Sequence, residues 1–81
     1  MNANTPLREV VAFIPKDCAE ILMYMPNEAQ MWVTIALRNI MTEWEASGQS
    51  FDPITLETVL RPIVVELMSA GHAMVAASKE I

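Results

Sequence analysis

The sequence predicts an all-α fold, a small bundle of four or five helices built on an antiparallel hairpin of two long helices. Apolar residues recur every three or four positions through most of the 81 residues, and no stretch alternates apolar and polar residues as a half-buried strand does. Proline and glycine divide these helical patterns into segments. A chain of this length is expected to form one domain, residues 1–81.

Two short helices are predicted at the N-terminal end, over about residues 6–14 and 17–25. Before the first, Thr5-Pro6 is typical of an N-cap followed by proline at the first helical position. At the start of the second, Asp17 has an acidic residue three positions later, as in a capping box. The prolines between these segments indicate short helices packed at angles rather than one rod.

The first long helix is predicted over about residues 27–47. Asn27 can serve as its N-cap, and Gly48 supplies a C-terminal stop because glycine readily adopts the left-handed conformation found there. Its main apolar stripe is Val33, Leu37, Ile40 and Trp44.

The second long helix, over about residues 53–80, has the clearest start signal. Asp52 is a favourable N-cap and Pro53 follows at the first helical position. Phe51 is placed to pack on Leu56 as a hydrophobic staple.

A regular apolar seam continues along this second long helix to the C-terminus. Its residues alternate at spacings of four and three, as in a coiled coil: Leu56, Leu60, Ile63, Leu67, Ala70, Met74, Ala77 and Ile81. Pro62 lies within the segment and lacks the N–H of a helical hydrogen bond. We therefore expect the helix to be kinked or broken near Pro62.

Composition narrows the classes of function. Apolar residues make up 53% of the chain, charged residues 19%, and the formal net charge is −5. Nucleic acids and anionic membranes attract basic surfaces, so neither is an expected partner. A single cysteine and no secretory signal favour a reducing, cytoplasmic location. Charged residues and a proline interrupt the apolar stretch at 59–77, so we expect no membrane span.

Residues that could support catalysis or bind a metal are few. Cys18 lies among apolar residues at helical spacing, which is typical of a buried structural cysteine. His72 lies opposite the apolar seam and is expected to be solvated. Met68 and Met74 near it supply thioethers that suit Cu(I), but no further soft ligand is close in the sequence. We therefore predict no enzyme, no cofactor and no metal.

The two long helices carry more apolar residues than one face of each can bury. On the first long helix, a second apolar row lies beside the main stripe and extends into the residues that precede the helix. On the second long helix, another apolar row lies beside the seam. These rows are the predicted protein interface, formed by Tyr24, Met25, Met31, Trp32, Ile35, Val64, Met68 and Val75. Aromatic residues and methionine are enriched in such interfaces.

Two functions are consistent with these rows. The first is a non-catalytic interaction module, a homodimeric helical bundle with a structural or regulatory role. The alternative is a stoichiometric inhibitor or adaptor, of the kind that phages and plasmids encode, that blocks a larger host protein through a helical face rich in Met and Trp. A closed monomer, in which the short helices cover the second rows, is the simplest competing arrangement.

Overall fold

The computed structural model describes residues 5–79, which form four α-helices and no β-strand. The helices are α1 (Leu7–Val11), α2 (Lys16–Met23), α3 (Asn27–Ala46) and α4 (Pro53–Lys79). The predicted all-α class is confirmed, as is the order of two short helices before two long ones. The predicted end of the last helix at residue 80, and Ile81 of its seam, lie outside the described residues.

A proline immediately precedes each of the first three helices. Pro6, Pro15 and Pro26 hold φ near −55° and ψ near 140°, and each carbonyl accepts a hydrogen bond from the first turn of its helix. The predicted caps at Thr5, Asp17 and Asn27 are therefore wrong in position. The fixed φ of proline matches the extended conformation of an N-cap residue, and the missing proline N–H costs nothing there.

Gly48 ends α3 as predicted. Its φ is +79°, in the left-handed region that glycine adopts at little cost. The Gly48 N–H donates to the carbonyl of Glu45 (3.1 Å), and the Gln49 N–H donates to that of Trp44 (2.9 Å). This pair of hydrogen bonds is the Schellman motif, which satisfies carbonyls at the end of the helix.

The start of α4 also matches the prediction. Asp52 Oδ1 accepts a hydrogen bond from the Thr55 N–H (2.6 Å), and Pro53 is the first helical residue. Phe51 lines one groove with Leu56, and its ring meets that of Trp44 edge-on at a centroid distance of 5.2 Å. The aromatic contact fixes the loop between the two long helices.

Pro62 lies inside α4, and the helix continues through it for 27 residues in all. Of the two predicted outcomes, division of the helix does not occur. Proline removes the N–H that would bond the carbonyl of Thr58. Both residues are exposed, so water can satisfy that carbonyl.

The antiparallel α3–α4 hairpin is the centre of the fold. α1 packs against α3 and α2 packs against α4, so both short helices cover the hairpin. The molecule measures 42 × 24 × 18 Å, and its long axis is close to the ~40 Å length expected for a helix the size of α4. The core consists of Val10, Ile14, Cys18, Leu22, Val33, Leu37, Met41, Leu60, Val64 and Met68.

The buried face of α4 differs from the predicted seam. Beyond Leu60, which belongs to both, the buried residues are Val64, Met68, Gly71 and Val75. Ala70, Met74 and Ala77 of the predicted seam are exposed. At about 100° per residue, the true face is rotated by roughly a quarter of a turn. Both rows have helical spacing, so periodicity alone did not distinguish them.

Close packing at Gly71 accounts for this choice of face. A Cβ atom at Gly71 would lie 3.2 Å from Val33 Cγ2 and 3.3 Å from Trp32 Cε3, tighter than ordinary van der Waals contact. The absence of a side chain therefore lets α3 approach α4 at this point. The row containing Val64 and Met68 is buried together with Gly71.

Candidate functional site

Four exposed apolar side chains lie around the C-terminal end of α2. Ile21 is 59% exposed, Met23 75% and Tyr24 93%, and Met31 at the start of α3 is 58% exposed. Met23 shares one groove with Met31 and another with Tyr24, and Tyr24 shares a third with Ile21. The four side chains therefore form one continuous surface, which we call the α2-end patch.

Hydrogen bonds from one side chain fix the backbone beneath this patch. Gln30 Nε2 donates to the carbonyl of Met25 (2.7 Å) and to that of Met23 (3.2 Å). Pro26 then begins α3 without a further connecting residue. The turn is thus short and bonded on its inner side, which directs Tyr24 outward.

A groove between α1, α2 and α3 opens beside the patch. It has a volume of about 460 Å³ and is lined mainly by apolar side chains, with Val11, Leu22, Met23 and Met31 among them. Polar groups are confined to a few positions, including Arg8. A groove of this kind suits an apolar side chain of a protein partner better than a small polar substrate.

Carboxylates flank the patch. Glu20 lines the groove that Met23 and Tyr24 share. Glu28 is exposed and lies three residues before Met31, on the same side of α3. The patch therefore has an apolar centre beside acidic side chains.

The eight predicted interface residues fall into three environments. Tyr24 and Met31 belong to the exposed patch, whereas Met25, Trp32 and Ile35 are half-buried. The remaining three are in the interior: Val64 is 0% exposed, Met68 7% and Val75 6%. The expectation that this α4 row would stay uncovered is wrong, because it is the face that packs within the chain.

The sequence interpretation missed two residues of the patch. Neither Ile21 nor Met23 was among the predicted interface residues. In the structure, Cys18 and Leu22 are the buried residues of α2. A helix of eight residues buries only a narrow face, so the apolar residues on either side of Leu22 must point outward. The short length of α2 was therefore the signal that could have identified Ile21 and Met23 as exposed.

Cys18 and His72 lie in different environments in the described structure. Cys18 is 2% exposed, and burial raises the pKa of its thiol, as does the nearby Asp17 carboxylate. His72 is exposed and lines a groove that does not include Cys18. Within residues 5–79, no three His, Cys, Asp or Glu side chains are grouped to hold a metal.

Arg61 carries the main ion pairs of the described surface. Its guanidinium contacts the Asp17 carboxylate across the α2–α4 interface and Glu57 Oε1 at 3.1 Å on its own helix. Glu57 and Arg61 are four residues apart on one helix, whereas Asp17 reaches Arg61 from a segment 44 residues away. The Arg61 hydrogen bond holds the pKa of Asp17 below its usual value. These groups join two helices.

By length and composition, α4 alone among the described helices could cross a membrane. The most apolar 18-residue window of Pro53–Ser78 has a mean hydropathy of 1.3, and 28% of that window is buried in the fold. Leu60 and Val64 lie in the protein core, as in an ordinary bundle helix. The absence of a membrane span stays a prediction.

Similarity to known proteins gives no functional assignment for this chain. No protein-family model, no curated protein and no solved structure matches the chain. Functional inference therefore depends on the chain's own surface.

Proposed function

We propose that this protein is a non-catalytic protein-binding module and that it acts as a homodimer with a structural or regulatory role. The observation that carries this proposal is the α2-end patch, in which Ile21, Met23, Tyr24 and Met31 are each more than half exposed. Contiguous exposed apolar surface of this kind is typical of sites that bind another chain.

The size of the uncovered surface supports self-association. The chain exposes 5516 Å², whereas a folded monomer of 9.0 kDa is expected to expose about 4,900 Å². Its radius of gyration is 12.9 Å, against about 11.7 Å for a compact domain of this length. A chain that exposes more surface than its mass predicts has surface available to a second copy.

The chemistry of the patch suits a two-fold contact. In a symmetric dimer, each side chain meets the same surface of the second copy, so flexible apolar groups that pack on themselves are favourable. Met23 and Met31 have such side chains, and Tyr24 offers a large rigid ring. The groove beside Val11 can receive an apolar side chain from the partner copy.

Charge favours a second candidate function. Two copies with a net charge of −5 each repel one another, and Glu20 and Glu28 would lie close to the dimer contact. An inhibitor or adaptor that binds a larger protein through the same patch would instead pair these carboxylates with basic residues of its target. This alternative predicts a monomer that associates only with its target.

Substitution of Tyr24 by glutamate tests the role of the patch. We expect Tyr24→Glu to convert a dimer into a monomer with unchanged helical content, because the side chain is 93% exposed and makes little contact within its own chain. Sedimentation velocity gives the mass, and circular dichroism gives the helical content.

Ile54→Glu is the matched control. Ile54 is 81% exposed but lies at the start of α4, outside the patch. The proposal requires this variant to keep the mass of the unmodified protein. Equal masses for Tyr24→Glu and the unmodified dimer would show that the interface lies elsewhere.

A further inference from the structure

A second groove, between the end of α2 and α4, is bordered by residues whose side chains carry soft metal ligands. It has a volume of about 400 Å³, and its lining residues include Met25, Met68 and His72, which carry two thioethers and one imidazole. The other lining residues are Ile21, Tyr24, Pro26 and Ser69, so no Lys, Arg, Asp or Glu of the described chain borders the groove.

We propose that this groove binds a soft monovalent cation, Cu(I) or Ag(I), through the sulfur atoms of Met25 and Met68 and a ring nitrogen of His72. Thioethers select soft cations over Mg²⁺, Ca²⁺ and Zn²⁺, and imidazole binds copper well. All three donors are neutral, so the bound site would carry a single positive charge. The negative net charge of the protein favours that charge electrostatically.

The fold supplies the ligand that the sequence pattern lacked. Met68 and His72 are four residues apart on α4, which places them on one side of the helix with Cβ atoms roughly 5–6 Å apart. Met25 belongs to the turn after α2 and lines the same groove. Two ligands from one helix and one from another segment can surround an ion.

Two features prepare the groove for a cation. Gln30 Nε2 holds the carbonyl of Met25 at 2.7 Å, which fixes the backbone that carries this thioether. Among the described residues, no hydrogen bond or ion pair engages the His72 imidazole, and the side chain is exposed. A ring nitrogen is thus accessible without the loss of an existing bond.

Cys18 is the competing soft ligand and must be removed from the test. Its thiol is 2% exposed and does not line this groove, but a thiolate formed by transient opening would bind silver strongly. The parent protein for the titration is therefore Cys18→Ala, accepted only if circular dichroism shows the helical content of the natural sequence. Ag(I) is the probe because it is not oxidised during the experiment.

Calorimetric titration of this parent with Ag(I) should show saturable binding of one ion per chain. Met25→Leu, Met68→Leu and His72→Gln should each weaken binding by ~10-fold or more, the loss usual when even an outer ligand contact is removed. Met→Leu nearly conserves side-chain volume, so the fold should persist. Met74→Leu is the control, because Met74 does not line the groove and should leave affinity unchanged.

Two results would overturn the proposal. One is the absence of saturable binding to the folded parent. The other is an affinity that falls as much in Met74→Leu as in the groove variants, or that falls in none of them. If Met68→Leu does not fold, the less buried Met25 and His72 variants decide the outcome.

Discussion

Val64 and Val65 are adjacent valines with opposite environments. Val64 is fully buried in the core between α3 and α4, whereas Val65 is 51% exposed. Because they share a residue type and a helix, any difference between their substitutions reports burial rather than helix propensity.

At the residue scale, Val64→Asp should prevent folding and Val65→Asp should be tolerated. An unpaired carboxylate in the core costs several kcal/mol, comparable to the ~5–15 kcal/mol total stability of a small domain. Urea unfolding followed by circular dichroism measures both variants. Equal loss of stability in the two would contradict the face of α4 described above.

The sequence predicted the apolar character of each row on α4 but not which row is buried. Ile63 and Leu67 on the predicted seam are as apolar as Val64 and Met68, so periodicity gives two equivalent solutions about a quarter of a turn apart. The choice of buried row depends on tertiary packing. Gly71 of α4 packs against α3, and α2 packs on α4 near Met68. These long-range contacts are invisible in local spacing.

At the scale of elements, the four helix starts show which N-caps the local sequence can predict and which it cannot. Asp52-Pro53 was predicted correctly because the side-chain cap and the proline agree. At the other three starts, a proline occupies the N-cap itself and no side-chain cap forms. Asp17 was free to pair with Arg61 instead, a contact between segments 44 residues apart.

The Asp52 cap predicts a pH-dependent stability. Hydrogen bonds from Thr55 hold the pKa of Asp52 below its ordinary value of 3.8, so the contribution is present above that value and is lost as the pH falls through the lower folded pKa. Asp52→Ala should be less stable than the natural sequence near neutral pH, and the difference should shrink in strong acid.

Thermal unfolding across this pH range provides the measurement, and Asp52→Asn is its control. Asparagine keeps an oxygen acceptor at the N-cap but has no carboxylate to titrate. It should retain most of the neutral-pH stability and lose the pH-dependent part. An Asp52→Ala variant as stable as the natural protein at neutral pH would show that the cap contributes nothing.

Close approach of α3 and α4 gives a second prediction at this scale. Gly71→Leu should destabilise the protein by roughly 1–3 kcal/mol, because the new side chain must displace Val33 and Trp32. Ala73→Leu, two residues later on an exposed position, should change stability by less than about 0.5 kcal/mol. Denaturant midpoints that rank the two variants the other way would contradict the tight contact.

The way the helices pack in the whole molecule decides which apolar residues stay exposed, so the candidate site was only partly predicted from the sequence. Tyr24 and Met31 were identified from composition and spacing, since they lie outside the main stripes. Ile21 and Met23 became part of the patch because α2 is short and lies along α4 on a single narrow face. Exposure of this kind depends on how much of a helix its neighbours cover.

At this scale, the two proposed sites adjoin at the end of α2. Ile21 and Tyr24 belong to the α2-end patch and also line the methionine-histidine groove, whose remaining lining residues come from the turn and from α4. Their tests are separate, because one measures mass and the other measures affinity for silver.

The solution mass of the natural protein across a wide dilution series, by sedimentation or light scattering, tests the central claim most directly. We predict the mass of two chains at high protein concentration and the mass of one chain after sufficient dilution. The Tyr24→Glu variant should dissociate at a much higher protein concentration than the natural protein. A mass of one chain at every concentration would contradict the homodimer, and the α2-end patch would then be assigned to a different protein partner.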